Sequence, residues 1–204
     1  MDDFAARFDV SRETLSRLQT YHALLLKWNR SINLVSRKTL QETWTRHFVD
    51  SAQIYSVASG ENRKWVDLGS GGGFPGLVVA IMAHELSPDL EVTCIESDQR
   101  KAAFLNTVIR ETGIRASVLT SRIEEAPPQN ADIVSARALA SLRVLLEFSE
   151  RHLKPGGEAV FLKGAAYQKE ATEALEMFTF KQDTYPSATS SEATIVRIGD
   201  IQRV

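Results

Sequence analysis

The sequence predicts an α/β fold in which a mostly parallel, twisted sheet carries helices on both faces behind a small N-terminal helical extension. Two observations predict it. From Trp65 onward, short apolar and β-branched runs alternate with segments of helical periodicity, the pattern of repeated strand–helix units with right-handed crossovers. The first unit, Trp65 to Val79, joins strand to helix through Gly69, Gly71, Gly72 and Gly73, a turn whose backbone can approach a ligand without Cβ interference. Residues 1–60 carry no strand pattern.

A chain of 204 residues, 43% of them hydrophobic, can bury one substantial core with a small appendage. We therefore expect a helical cap over 1–60 and a ligand-binding domain over 61–204, packed as one compact unit. The single cysteine, Cys94, excludes an intramolecular disulfide framework and fits a reducing compartment. His22, His47, His84 and His152 are scattered without ligand spacing, so no metal is expected. The start, MDDFAARFDV, is acidic without a long apolar stretch, and no run reaches membrane-spanning length, so a soluble, cytoplasmic monomer is expected. A net charge of −2 excludes a generic polyanion binder and makes any nucleic-acid contact local.

Taken in order, Leu15, Leu18, His22, Leu25 and Leu26 recur at helical spacing behind a Ser11 N-cap, predicting a helix that runs to about Trp28. Thr39-Leu40-Gln41-Glu42 has the form of a capping box. It predicts a second helix with Leu40, Trp44, His47 or Phe48, Ser51 and Ile54 on one side. A polar loop, Asn29 to Ser36, joins the two. From Val10 to Asp50 seven basic residues face three acidic ones, so the cap carries a local positive excess. Arg30, Arg37 and Lys38 are its candidate RNA contacts; Trp28 and Trp44 could stack on bases, but burial is the stronger expectation for them.

Val66 and Leu68 end the first strand, and Pro75 suits the first turn of the helix after the glycines. Val92 to Ile95 is the second strand. Gln99 to Thr112 is a helix with Ala103, Phe104, Val108 and Ile109 inward, closed by Gly113. Ala116 to Leu119 and Ala131 to Ser135 are strands, followed by a helix from Leu142 to His152. Pro155-Gly156-Gly157 turns into the strand Glu158 to Leu162, and a helix spans about Tyr167 to Phe178. Phe180 to Thr184 and Thr194 to Ile198 form a closing pair around a surface loop, Tyr185 to Glu192.

Strand, glycine turn and helix N-terminus make a nucleotide-binding geometry, and ligands in such sheets bind beyond the carboxyl ends of the strands. One register, Gly71 to Gly76, matches G-x-G-x-x-G. Asp67, two residues before the first glycine, would repel a pyrophosphate and attract a cation, so D-x-G-x-G fits S-adenosylmethionine (AdoMet), a sulfonium, better than NAD. Glu96 ends the second strand where a carboxylate can accept both ribose hydroxyls. Ile123 and Glu124, after the third strand, are candidates to hold the adenine. The turn after the fourth strand, Ser135 to Ala138, faces the transferred group and lacks the Asp/Asn-Pro-Pro-aromatic run of exocyclic-amine methylation. Cys94 lies inside a strand, away from that turn, which removes the thiolate that pyrimidine-carbon methylation needs. What remains is a target that is already nucleophilic, such as a purine ring nitrogen, methylated by positioning and electrostatics.

Trp28-Asn29 with Asn33-Leu34, Arg46 to Ser51, Asp67 to Gly76, Glu96-Ser97 with Lys101 and Phe104-Leu105, Ser121 to Glu124, Arg137-Ala138 with Ala140 to Leu142, and Leu162 to Gly164 together resemble the RsmG (GidB) family. The resemblance covers Trp28 to Gly164. It implies a Rossmann-like class I AdoMet-dependent methyltransferase fold that methylates N7 of a guanine in bacterial small-subunit (16S) ribosomal RNA and yields S-adenosylhomocysteine. It also implies AdoMet contacts at Gly69, Phe74, Ile123, Glu124 and Arg137, beside Asp67, Gly71 and Glu96. Guanine N7 bears a lone pair and no proton, so Arg137 takes a positioning role and Lys163 an RNA-binding one, with a structural salt bridge as the alternative for Lys163. The RNA is the expected partner, free or within a ribosomal particle. A small-molecule methyltransferase and a non-catalytic AdoMet-binding regulator are the competing readings.

Overall fold

The computed structural model of the protein describes residues 2–58 and 63–204, without the side chains of Asp2, Asp3 and Arg37. The expected boundary at residues 60 and 61 lies outside the described residues. Among the described residues, seven strands form one sheet in the order β3-β2-β1-β4-β5-β7-β6. They are β1 (Lys64–Leu68), β2 (Glu91–Ile95), β3 (Ala116–Leu119), β4 (Ala131–Arg137), β5 (Leu153–Lys163), β6 (Phe178–Pro186) and β7 (Thr194–Arg203). β1 to β5 pair in parallel, while β7 runs antiparallel to both β5 and β6. The chain goes outward from β1 to β3 and then returns to place β4 on the other side of β1, so the switch point lies between β1 and β4.

Seven α-helices cover the sheet among the described residues: α1 (Asp2–Phe8), α2 (Arg12–Trp28), α3 (Asp50–Val57), α4 (Gly76–Leu86), α5 (Gln99–Thr112), α6 (Leu142–His152) and α7 (Tyr167–Ala174). Their buried side chains fall into two clusters. One holds Leu18, Tyr21 and Leu25 of α2, Ile54 of α3, the apolar length of α4, Phe104 of α5 and Trp65 of β1. The other joins α6 and α7 to Val66, Leu68, Val134 and Phe161. Trp65 and Val66 go to different clusters because alternate strand residues face opposite sides of the sheet. Among the described residues no helix is long and apolar enough to cross a membrane.

The N-terminal helices share the core of α4 and α5. Ser11 caps α2, its hydroxyl accepting from the Thr14 amide at 3.2 Å and donating to Glu85 of α4 at 2.7 Å; the Thr14 hydroxyl donates to the same carboxylate at 2.6 Å. The buried face of α2 is Thr14, Leu18, Tyr21 and Leu25; Leu26, expected inward, is exposed and His22 is half-buried. α1 was not anticipated, because seven residues carry too little periodicity; it is held by Phe4 against Phe8 and the edge of Trp44.

The expected capping box does not form. Thr39 ends a 3-10 turn, Arg37–Thr39, and its hydroxyl donates to the Ser36 carbonyl at 3.0 Å instead of capping a helix. The second helix starts at Trp44 with π winding over Trp44–Val49, then continues as α3. Such wide turns concentrate at functional sites, and this one carries His47. Further on, α5 buries Ala102, Phe104, Leu105 and Val108, leaving Ala103 exposed. The Pro155 to Gly157 turn lies within an extended β5, where a Cβ on Gly157 would fall 2.8 Å from the Ala131 carbonyl oxygen. α7 stops at Ala174, short of the expected Phe178, which is fully buried and opens β6; that strand also absorbs Tyr185 and Pro186 from the expected loop.

Candidate active site

The turn after β1 is built from left-handed residues, with φ of 61° at Gly69, 55° at Gly71 and 92° at Gly73. Protein crowds three of its glycines. A Cβ would fall 2.6 Å from a Leu139 methyl at Gly69, 3.0 Å from the Leu34 carbonyl at Gly72 and 2.5 Å from the Tyr21 hydroxyl at Gly73. At Gly71 the nearest atom is 3.8 Å away, so that position opens on a cavity. Tyr21 braces the turn from behind, its buried hydroxyl donating to the Gly72 carbonyl at 2.5 Å and its ring stacking on Phe74 at 5.2 Å. Leu34 is placed by Asn29, whose side-chain oxygen accepts from the amides of Leu34 and Val35 at 2.9 and 3.0 Å.

The cavity over this turn has a volume of about 580 Å³ and lies beyond the carboxyl ends of β1, β2 and β4. It gathers Gly69, Gly71, Phe74, Glu96, Ile123, Glu124 and Arg137 of the expected residues. Glu96 is almost fully buried and accepts the amides of Gly71 and Asp98, one on each oxygen, both at 2.8 Å. Those bonds fix the carboxylate and leave lone pairs for a diol. The Ile123 carbonyl accepts from Nε2 of the buried His152 at 2.9 Å, which anchors the loop after β3. Val144 and Phe148 of α6, with Leu139, add an apolar wall that the sequence reading missed.

Asp67 is not on this wall. It is fully buried beneath α4, where the Ser135 hydroxyl, itself an acceptor for the Trp65 indole N–H, donates to Oδ1 at 2.8 Å. A Cβ on Gly76 would meet Asp67 Oδ2 at 2.8 Å and the Cys94 sulfur at 2.9 Å, so α4 seals the carboxylate from the cavity. Burial raises its pKa to about 6, offset in part by the hydrogen bond from Ser135 and by the charge of Arg137, while Oδ2 has no hydrogen-bond partner among the described residues. Expected to face the ligand, the Asp67 carboxylate instead has a role inside the protein. Cys94 is core as expected, its thiol pushed up by the same burial.

A second cavity of about 760 Å³ adjoins the first, and both are lined by Leu34, Arg137, Ala138, Leu139 and Ala140. Arg137 is the charged residue on the shared wall. Its Nη1 lies 2.7 Å from Nδ1 of His47 and donates to the Arg46 carbonyl at 3.1 Å, while its guanidinium sits 5.0 Å over the Phe74 ring. Arginine only donates, so His47 Nδ1 carries no proton, and its Nε2–H donates to the Thr39 hydroxyl at 2.9 Å. Burial, then the charges of Arg137 and Arg46, push the His47 pKa down to about 3, which keeps the ring neutral. Ala138, next along, takes φ of 50°, a left-handed strain of the kind that clusters at active sites.

The expected RNA contacts are dispersed. Lys163 is largely buried and pairs with Glu170 at 2.5 Å while donating to the Ala140 carbonyl at 2.9 Å, the salt-bridge alternative raised from sequence. Arg30 lines a separate hollow with Arg100 and Lys101, and Lys38 is exposed on the 3-10 turn. The side chain of Arg37 lies outside the described residues. Trp28 packs on Phe104 and Trp44 stacks on Phe48, so both tryptophans serve the core. Tyr21 sat at regular spacing between Leu18 and Leu25, but only its placement under the turn marks it as part of the site.

Residues 14–196 match the family model described as GidB, rRNA small subunit methyltransferase G. The Ribosomal RNA small subunit methyltransferase G of Ruegeria pomeroyi is 50% identical over 98% of this chain and 98% of its own length. The protein of the same name from another Ruegeria species is 50% identical over 96% and 95%. A SAM dependent methyltransferase from Aquifex aeolicus superposes with a TM-score of 0.60 at 14% identity, covering 78% of this chain and 92% of its own. That last likeness concerns the fold alone.

Proposed function

The chain belongs to the GidB family of rRNA small subunit methyltransferase G proteins, and from that premise we propose that it transfers a methyl group from AdoMet to N7 of a guanine in small-subunit ribosomal RNA. The observation that carries this reading is the meeting of two cavities at Arg137, one with a fixed carboxylate and a glycine floor, the other open beside it.

The first cavity fits AdoMet. Its floor at Gly71 would be filled by any Cβ, Glu96 offers lone pairs to the ribose hydroxyls, and Ile123 and Phe148 bound the space for adenine. AdoMet supplies an electrophilic methyl group on a sulfonium. Asp67 contributes by holding Ser135 and the β1–β4 switch point in place. Arg137, fixed by His47 and Phe74, orients groups at the junction by donating to a carboxylate, a phosphate or the guanine O6. N7 needs no general base, and the one lone pair on the His47 ring is already engaged by Arg137. Catalysis is then alignment and exclusion of water. Arg30, Arg37 and Lys38 contribute phosphate contacts outside the site.

Calorimetry should detect binding of AdoMet and S-adenosylhomocysteine and none of NAD. Label from AdoMet should pass to small-subunit RNA and not to a metabolite extract. Tight NAD binding, or transfer to metabolites alone, would refute the reading.

A further inference from the structure

The second cavity yields an inference that rests on the methyl-transfer reading above. N7 of a guanine in an A-form helix faces a deep, narrow groove that side chains cannot enter. Enzymes acting on such an atom take the nucleotide from a single-stranded segment or out of the stack and seat its base in a pocket. A hollow of this kind lies between Arg137 at the end of β4, Gly164 beyond β5 and the loop before β7, and it adjoins the first cavity along their shared wall.

Its charged side chains sort by what already holds them. Lys163 and Glu170 neutralise each other. Asp50 accepts from the hydroxyls of Ser187 and Thr189, pinning the 187–189 loop to α3, and Arg46 pairs with Glu42. Glu192 differs: it is exposed on the cavity wall and, among the described residues, its carboxylate has no hydrogen bond or ion pair. The loop that bears it leads into Thr194, which pairs with Lys163. Since β5 lies between β4 and β7, two strand spacings, roughly 10 Å, separate the Arg137 side from the Glu192 side. That is the span of a purine with a hydrogen bond at each edge.

We propose that this cavity seats the target guanine with N7 turned to the cofactor cavity and with Glu192 accepting from N1–H and the N2 amine on the opposite edge. The assignment explains selection for guanine. Adenine has no N2 amine and offers a lone pair at N1, so the same carboxylate would meet an acceptor with an acceptor. It also addresses charge, because the methylated ring is cationic and a carboxylate across it stabilises the developing charge while Lys163 is already neutralised.

The test compares wild type with Glu192→Ala, Glu192→Gln and Gly164→Trp on hypomethylated small-subunit RNA, with AdoMet affinity measured for each. Gly164 lines the cavity, and a Cβ there meets nothing within 4 Å, so an indole can fill the hollow without displacing the core. AdoMet affinity should stay within about twofold throughout, while transfer falls roughly 100-fold in Gly164→Trp and roughly 10- to 100-fold in Glu192→Ala, with Glu192→Gln between. With the methylated position mapped and replaced by inosine, which lacks the N2 amine, the wild type should slow roughly 10-fold or more, whereas Glu192→Ala should treat guanine and inosine alike. Wild-type transfer by Gly164→Trp, or an undiminished guanine preference in Glu192→Ala, overturns the proposal. A wild type that binds AdoMet and transfers nothing to RNA overturns the methyl-transfer reading and the pocket with it.

Discussion

Arg137 is held from three sides, by the unprotonated Nδ1 of His47, by the Arg46 carbonyl and by the Phe74 ring. Its charge was visible in the sequence as the arginine after the fourth strand; its support was not, because His47 lies 90 positions away in chain order. Arg137→Ala should lower methyl transfer by roughly 100- to 1000-fold, as expected for loss of a preorganised donor, with bulk RNA binding kept. His47→Asn can still offer an acceptor and should retain more activity than His47→Leu; equal loss in both would remove the positioning role. Asp67 was expected to face the ligand and is instead sealed beneath α4, because no residue pattern tells one arrangement from the other. Its folded pKa of about 6 is raised above the ordinary carboxylate range, so the stability tied to its protonated form is full below about pH 4 and lost as pH rises through about 6. Thermal melts should show wild type losing on the order of 3 kcal/mol relative to Asp67→Asn across that window, with no further divergence above it.

At the level of elements, strand and helix periodicity located β1 to β4 and α5 and α6 to within a few residues, because each unit packs on one face of a parallel sheet, whereas β5 begins five residues before the expected Glu158. The misreadings have local causes. Thr39 spends its hydroxyl on Ser36 and His47, so the capping box never closes and π winding carries His47 to Arg137. The α2–turn contact through Tyr21 was hidden because it joins residues 51 apart. Tyr21→Phe should cost about 1 kcal/mol in stability and weaken AdoMet binding, since the Gly72 carbonyl loses its donor; an unchanged affinity would show that the turn needs no brace. Gly76→Ala would thrust a methyl 2.7 Å from Asp67 Cβ. It should destabilise by about 1–3 kcal/mol in denaturant titration, through separation of α4 from β1.

For the whole molecule, the charge pattern predicts where RNA lies. The protein has a net charge of −2, so phosphate contacts must come from local excess such as that of residues 10–50. Replacing Arg30, Arg37 and Lys38 with Ala should weaken RNA binding and flatten its log–log salt dependence by roughly 0.7 to 0.9 for each phosphate no longer neutralised, leaving AdoMet affinity unmoved. An unchanged slope would shift the RNA surface to the strand-end loops around Arg137. The placement of both cavities at one end of the sheet, on either side of the same arginine, makes a single chemical outcome the decisive one. Small-subunit RNA lacking the modification, incubated with the protein and AdoMet as free RNA and as assembled particles, should yield 7-methylguanosine at one position when its nucleosides and fragments are resolved by mass spectrometry. Methylation at another atom, or none in any assembly state, would contradict the account.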